Sequence, residues 1–175
     1  EVVVEATHSA ASPGTELLIY RGDAPTDLPA DATIYALDGD LSYPLQYGYA
    51  LVGEVTRLGA DVDADWRGET VFAFHPHETH AVVEPSALVP VPAAVSRERA
   101  TLLPTAETAT NLVMDGDPGI GERVAVFGAG PVGLFTTAVL SAFPLETLTV
   151  VEPRADRRAV AAVAVWDALP AEMAI

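Results

Sequence analysis

Residues 123–152 read RVAVFGAGPVGLFTTAVLSAFPLETLTVVE, and the order of residue types in them decides the fold of the second half of the chain. The apolar, β-prone run Val124-Ala125-Val126-Phe127 is followed by Gly128-Ala129-Gly130-Pro131-Val132-Gly133 and then by a segment free of Gly and Pro as far as Pro144. That is a strand, a tight turn and a helix. A second β-branched run, Thr147–Val151, ends on Glu152, nineteen residues after Gly133. The spacing matches the roughly 20 residues between a glycine fingerprint for dinucleotides and its ribose-binding acid. Gly128 permits the turn, Gly130 admits a pyrophosphate close to the backbone, and Gly133 lets helix and strand pack together. Pro131 falls in the first helical turn, where a missing N–H costs nothing. With Val132 and Gly133 it opens a helix whose free N–H groups and dipole favour phosphate. A purely structural glycine turn, or a site for another nucleotide-like ligand, is the alternative.

The composition limits what the chain can do. Its 175 residues, 50% of them hydrophobic, can bury a real core in one large or two small domains. Asp and Glu number 25 against 9 basic residues, all of them Arg, for a net charge of −16. The acids are spread over ordinary globular segments with positive mean hydropathy, which describes a solvated surface rather than an acidic tail. Concentrated salt relieves such self-repulsion. The composition resembles that of cytoplasmic proteins from extremely salt-loving archaea, with an acidic mesophilic protein as the plainer alternative. Nucleic acid is not an expected partner, since a polyanion demands Lys/Arg stripes. The absence of Cys excludes disulfides and thiolate zinc sites. The first residues lack the basic region of a signal peptide. Val124–Leu145 is uncharged, but its Gly and Pro suit a strand-turn-helix better than a membrane span.

Before this unit the chain reads as short strands: Glu1–Ala6, a bent strand from Tyr47 to Leu58 with Gly53 marking close backbone contact, Thr70–Phe74 and Ala81–Val83. Ser9–Glu16 is a small-residue turn leading into apolar Leu17–Tyr20, Asp23–Asp40 a polar, mobile loop, and Gly59–Asp65 a turn. Helical segments at Arg97–Thr101 and Glu107–Met114 mark a change of architecture near residues 92–105. We therefore expect an α/β protein of two domains, 1–98 and 99–175.

Several of these stretches resemble the medium-chain dehydrogenases and reductases, the superfamily of the zinc alcohol dehydrogenases. Pro13-Gly14-Thr15-Glu16-Leu17-Leu18-Ile19-Tyr20-Arg21-Gly22 is similar to the family's C-G-T-D-L-H-I-Y-x-G, and Pro44–Val55 to its P-x-x-x-G-H-E-x-x-G-x-V. Gly68-Glu69-Thr70-Val71 matches G-D-x-V, and GAGPVG matches the cofactor turn. The resemblance covers nearly the whole chain up to Arg158, in the family's order. It implies a GroES-like β-rich domain carrying the substrate chemistry, followed by a Rossmann domain that binds NAD(P). It also implies a chain about twice as long, so a fragment, or breaks after about Ala161, is expected. Ala159–Ile175 shows no recognisable continuation of a Rossmann sheet.

The zinc ligands are missing. Pro13, Tyr49 and Ala50 stand where the family has Cys and His-Glu, and the domain junction offers Pro104 and Thr105. None is a zinc ligand. Leu18 occupies the place of the relay histidine. Zinc is not expected at the usual site. A relocated metal at His75, His77 and His80 is an alternative, weighed against ligand-facing or plain surface histidines. His75 or His77 is expected to face the substrate cleft. Hydride transfer without zinc needs a positioned substrate and a proton donor. The resemblance points to Thr15, in the family's proton path, or a turn residue; to Tyr47 or Tyr49, a phenol in the vacated space, with core packing the alternative for Tyr49; and to Glu107, an acid or base, or a helix charge. Glu107 and Thr108 lie where the resembled fold runs under the nicotinamide. Glu152 favours NAD, while Arg154, Arg157 and Arg158 either grip the 2′-phosphate of NADP or neutralise acids such as Asp156. The expectation is a cytoplasmic oxidoreductase, a homodimer or homotetramer, acting on a small alcohol, carbonyl or activated alkene. A non-catalytic nucleotide-binding or redox-sensing protein on the same fold is the second reading.

Overall fold

The computed structural model describes residues 1–25, 34, 37, 40–164 and 167–169. Its contacts divide the chain into two compact units, Glu1–Leu103 and Pro104–Ile175. The expectation of a mobile loop over residues 23–40 falls mostly outside the described residues, as does the end of the chain after residue 169.

In the first unit an antiparallel sheet runs in the order β4-β1-β2-β3-β5, built from β1 (Val2–Ser9), β2 (Leu51–Leu58), β3 (Thr70–Ala73), β4 (His80–Val83) and β5 (Leu88–Pro90). The alternation of β1 buries Val2 and Val4 and exposes Glu5, the pattern of a strand with one wet face. β2 is central and buries residues on both faces. Leu51 and Val55 join Val2, Val4, Val71 and Ala81 in one core, and Val52 joins Ala50, Phe72 and Ala100 in another. Each such valine or leucine contributes roughly 1.5–3 kcal/mol by leaving water. Gly53 is where β1 comes nearest: a Cβ there would run into the carbonyl oxygen of Glu5. The bent strand expected from Tyr47 begins only at Leu51, because Gly48 has φ +128, outside the range of an L-residue in a strand. Leu17–Tyr20, for which the sequence suggested no element, lies within the helix α1 (Thr15–Arg21). Gly22 ends α1 in the left-handed conformation, its N–H donating to Ile19 O. The short helix α2 (Arg97–Ala100) starts from Ser96, whose hydroxyl accepts the Arg99 N–H at 3.3 Å.

The second unit opens with α3 (Leu103–Gly116), longer than the segment expected around Glu107–Met114 because Pro104 is tolerated in a first turn. A parallel sheet follows in the order β6-β7-β8, formed by β6 (Arg123–Phe127), β7 (Thr147–Val151) and β8 (Asp167–Leu169). Its crossovers are α4 (Pro131–Leu140) and α5 (Ala155–Ala164). Parallel strands need such crossovers, and the central strand is buried at its carboxyl end, at Val150 and Val151 of β7. Ala129, Val150 and Ala161 pack with Val126, Leu134 and Leu148. β8 corrects the expectation that residues beyond 159 offer no continuation: it pairs with β7 from Thr149↔Asp167 to Val151↔Leu169. Three residues make a signal too short for periodicity to register. Among the described residues no helix is long and apolar enough to cross a membrane.

Candidate nucleotide-binding turn

The turn between β6 and α4 is fixed at each residue by a different force. The Gly128 N–H donates to Val151 O at 2.8 Å, prolonging the sheet by one rung, and Gly128 then leaves it at φ +99. Ala129, buried, donates its N–H to Glu152 Oε2 at 2.8 Å. Gly130 is the N-cap residue of α4 with φ −77 and ψ −178, and Pro131 begins the helix. The first intrahelical bond runs from Leu134 N–H to Gly130 O (2.9 Å), so the N–H groups of Val132 and Gly133 lie ahead of the helical ladder.

The glycines separate into two kinds. At Gly133 a Cβ would drive into the carbonyl oxygen of Gly128, so the fold itself demands glycine where helix and strand touch. At Gly130 a Cβ would meet nothing within 4 Å, and the backbone there suits any residue. Nothing in the chain's own packing requires glycine at 130. A smooth, open surface at an N-cap, with free amides behind it, is a cradle for phosphate. The residues therefore fit a dinucleotide.

Glu152 sits at the carboxyl end of β7 with 3% of its surface exposed. Besides the bond from Ala129, its Oε1 accepts the Arg154 N–H at 2.9 Å, and Arg157 Nη1 stands 3.9 Å from Oε2. The Arg154 amide, then the Ala129 amide, hold its carboxyl below the ordinary value of 4.5, against burial, which pushes the other way. The acid is thus an ionised clasp on the turn. Each carboxylate oxygen has a second lone pair, which leaves capacity for a ribose hydroxyl.

The neighbouring arginines are engaged within the chain itself. Arg154 is held by Asp156 through Nε–Oδ1 (3.2 Å) and Nη2–Oδ2 (2.7 Å), a bidentate pair that lowers the Asp156 carboxyl to about 2. Arg158 Nη1 donates to the carbonyls of Glu152 and Pro153, both at 2.7 Å.

The structure thus brings together Gly128, Gly130, Pro131, Val132, Gly133, Glu152 and Arg154. The other predicted residues are elsewhere in their units. Thr108, exposed on α3, donates its hydroxyl to Pro104 O at 2.9 Å, and Glu107 is its exposed neighbour. Thr15 is exposed at the start of α1. Tyr49 is half-buried against the core of Ala50, Val52, Phe72 and Ala100, its ring edge-on to Tyr47 at 6.4 Å. The histidines do not converge. His80 belongs to β4 and His75 Nδ1 faces Pro76 O at 3.4 Å, whereas His77 lies between Ser9 and Glu16. Among the described residues no group of three or more His, Asp or Glu side chains is placed to hold a metal ion. The partners of His77 escaped the sequence reading, because Ser9 and Glu16 are 68 and 61 residues away from it.

No protein-family model matches the chain, and no curated protein matches it. Solved structures do. A short chain alcohol dehydrogenase from E. coli CFT073 complexed with NADH is similar over 98% of this chain and 55% of its own, at 20% identity and a TM-score of 0.76. The quinone oxidoreductase of Escherichia coli complexed with NADPH matches over 99% and 51%, at 18% identity and 0.75. An alcohol dehydrogenase from Thermus sp. ATN1 matches over 99% and 56%, at 21% identity and 0.75. The chain spans about half the length of the structures it matches. Its fold is shared with these dehydrogenases and oxidoreductases, as the sequence resemblance implied: an α/β chain with a β-rich unit followed by a parallel-sheet unit.

Proposed function

We propose that the chain is part of an NAD(P)-dependent oxidoreductase that moves hydride between a nicotinamide and a small alcohol, carbonyl or activated alkene, without zinc at the family's usual position. The observation that carries this reading is the contrast between Gly133, closed by the fold, and Gly130, open above a free helix start. The fold neighbours support it, since they are dehydrogenases and oxidoreductases, two of them complexed with NADH or NADPH.

When bound, the nicotinamide supplies the hydride chemistry. The chain's own residues hold and orient. The amides of Val132 and Gly133 face the diphosphate and Glu152 accepts from ribose. An ionised Glu152, with Arg154 and Arg158 already engaged, favours NAD over the additional phosphate of NADP. Thr15, Tyr49 and Glu107 are the proposed proton-handling groups on the substrate side, and Thr108 a cofactor contact. Independence from zinc rests on donor chemistry: Pro13, Tyr49, Ala50, Pro104 and Thr105 provide no thiolate, imidazole or carboxylate. We also propose a cytoplasmic, salt-adapted homodimer or homotetramer, from the net charge of −16 and the resemblance.

The test is calorimetric binding of NAD and NADP in molar salt, followed by turnover with a panel of alcohols and aldehydes. Tighter binding of NAD with turnover supports the proposal. Binding without turnover of any substrate supports the nucleotide-binding or redox-sensing reading instead, and binding of neither cofactor removes both.

A further inference from the structure

Three side chains in the first unit form a continuous hydrogen-bonded chain. Ser9 Oγ lies 2.5 Å from His77 Nδ1, and His77 Nε2 lies 2.6 Å from Glu16 Oε2. Ser9 ends β1, Glu16 is in the first turn of α1, and His77 follows β3. The imidazole is fixed from several sides. The His77 N–H donates to Tyr47 O at 3.1 Å. Gly48 lies against the ring so closely that a Cβ there would come within 2.7 Å of its Cδ2. Glu16 is fixed in turn, its Oε1 accepting the Ser12 N–H at 2.6 Å, and its side chain is only 11% exposed. Ser9 itself is exposed to solvent.

Proton accounting assigns the roles. An ionised carboxylate only accepts, so Nε2 carries the hydrogen that Glu16 receives. In the neutral ring the lone pair is then on Nδ1, facing the serine hydroxyl. Ser9 Oγ also lies 2.9 Å from Ala50 O, but the shorter contact is to the nitrogen. Nucleophile, base and an orienting carboxylate are the elements of an activated serine.

We propose that Ser9, His77 and Glu16 form a nucleophilic site that accepts acyl groups from small uncharged esters, independently of the nucleotide turn. Ser9 Oγ attacks the ester carbonyl carbon while its proton passes to His77 Nδ1. The new Oγ–C bond forms, the C–O bond to the alcohol breaks, and the leaving oxygen takes the proton back from His77. Water attacks the acyl-serine by the same route and releases the acid. Glu16 against the ring, on a chain of net charge −16, disfavours anionic acyl groups. The Ala10 N–H is committed to Ala50 O at 3.2 Å and is not available to an oxyanion, so slow turnover is expected.

The experiment is labelling of the chain in molar salt by an alkyl fluorophosphonate, which phosphonylates an activated hydroxyl with loss of fluoride, read by peptide mass mapping. One adduct per chain on Ser9 is expected. Ser9→Ala removes it, His77→Asn slows labelling roughly 100-fold or more, and Glu16→Gln slows it by a smaller factor. A folded chain with no adduct at Ser9, or one labelled equally fast after His77→Asn, overturns the proposal. Should His77→Asn melt without cooperativity, Glu16→Gln decides, and an unchanged rate there is equally fatal. No cofactor enters the assay, so its outcome is separate from that of the oxidoreductase reading.

Discussion

The turn at residues 128–133 and the Ser9–His77–Glu16 chain are built on opposite principles. The turn is dictated by backbone: two glycines, a proline and a helix start do the work within a few residues, and the acid that clasps it lies one strand further on. The serine chain is dictated by side chains delivered from three separate segments, with only Gly48 and a backbone bond from the His77 N–H to Tyr47 O to shape the seat of the ring. A backbone-made site tolerates little change where the fold touches itself and much change where it faces a ligand. A side-chain-made site can be dismantled one group at a time.

Gly133→Ala should break the first arrangement most severely. Its Cβ collides with a backbone carbonyl that no rotamer can move, so a cost of about 3 kcal/mol or more and loss of cooperative melting in the second unit are expected. A midpoint within a degree or so of wild type would remove the packing argument. Gly130→Val is the sharper counterpart. The chain should melt as wild type does, yet NAD affinity should fall by roughly 100-fold, about 2.7 kcal/mol, measured by calorimetry.

Glu152→Gln addresses the clasp through pH. The carboxyl of Glu152 is lowered in the folded state, so its stabilisation is fully present above the ordinary value of 4.5 and disappears as pH falls through the lowered one. Wild type should therefore lose more stability than the variant in that acidic window. Superimposable thermal profiles would show that the acid does not hold the turn. The smallest effect expected is common to both regions. With net charge −16, moving from dilute to molar salt should raise the melting midpoints of wild type and Gly130→Val alike. A lowered midpoint would contradict the salt-adapted reading.

How far the sequence could be read follows the same division. β1, β3, β6 and β7 were legible because alternation or β-branched runs declare them, and the glycine spacing identified the turn together with its acid. The start of β2 was misplaced by four residues' worth of β-prone side chains around Gly48, whose positive φ no propensity reveals. α1 carries apolar Leu17, Leu18 and Ile19 in succession, a run with no helical period, so only its glycine cap hinted at it. The bidentate pairing of Arg154 with Asp156 could be foreseen only as one alternative, because spacing alone does not say whether an arginine two residues from an acid folds back onto it. Nothing local connects Ser9 or Glu16 with His77, and a pairing made by the meeting of a strand end, a helix and the segment after β3 has no signature along the chain.

The central claim is a dinucleotide diphosphate held by the amides that follow Gly130. It is tested most directly by titrating NAD into wild type and Gly130→Val in molar salt, with melting curves recorded on the same samples. The account predicts saturable binding to wild type and its loss from a variant that melts normally. No binding by wild type, or equal binding by both, would contradict it.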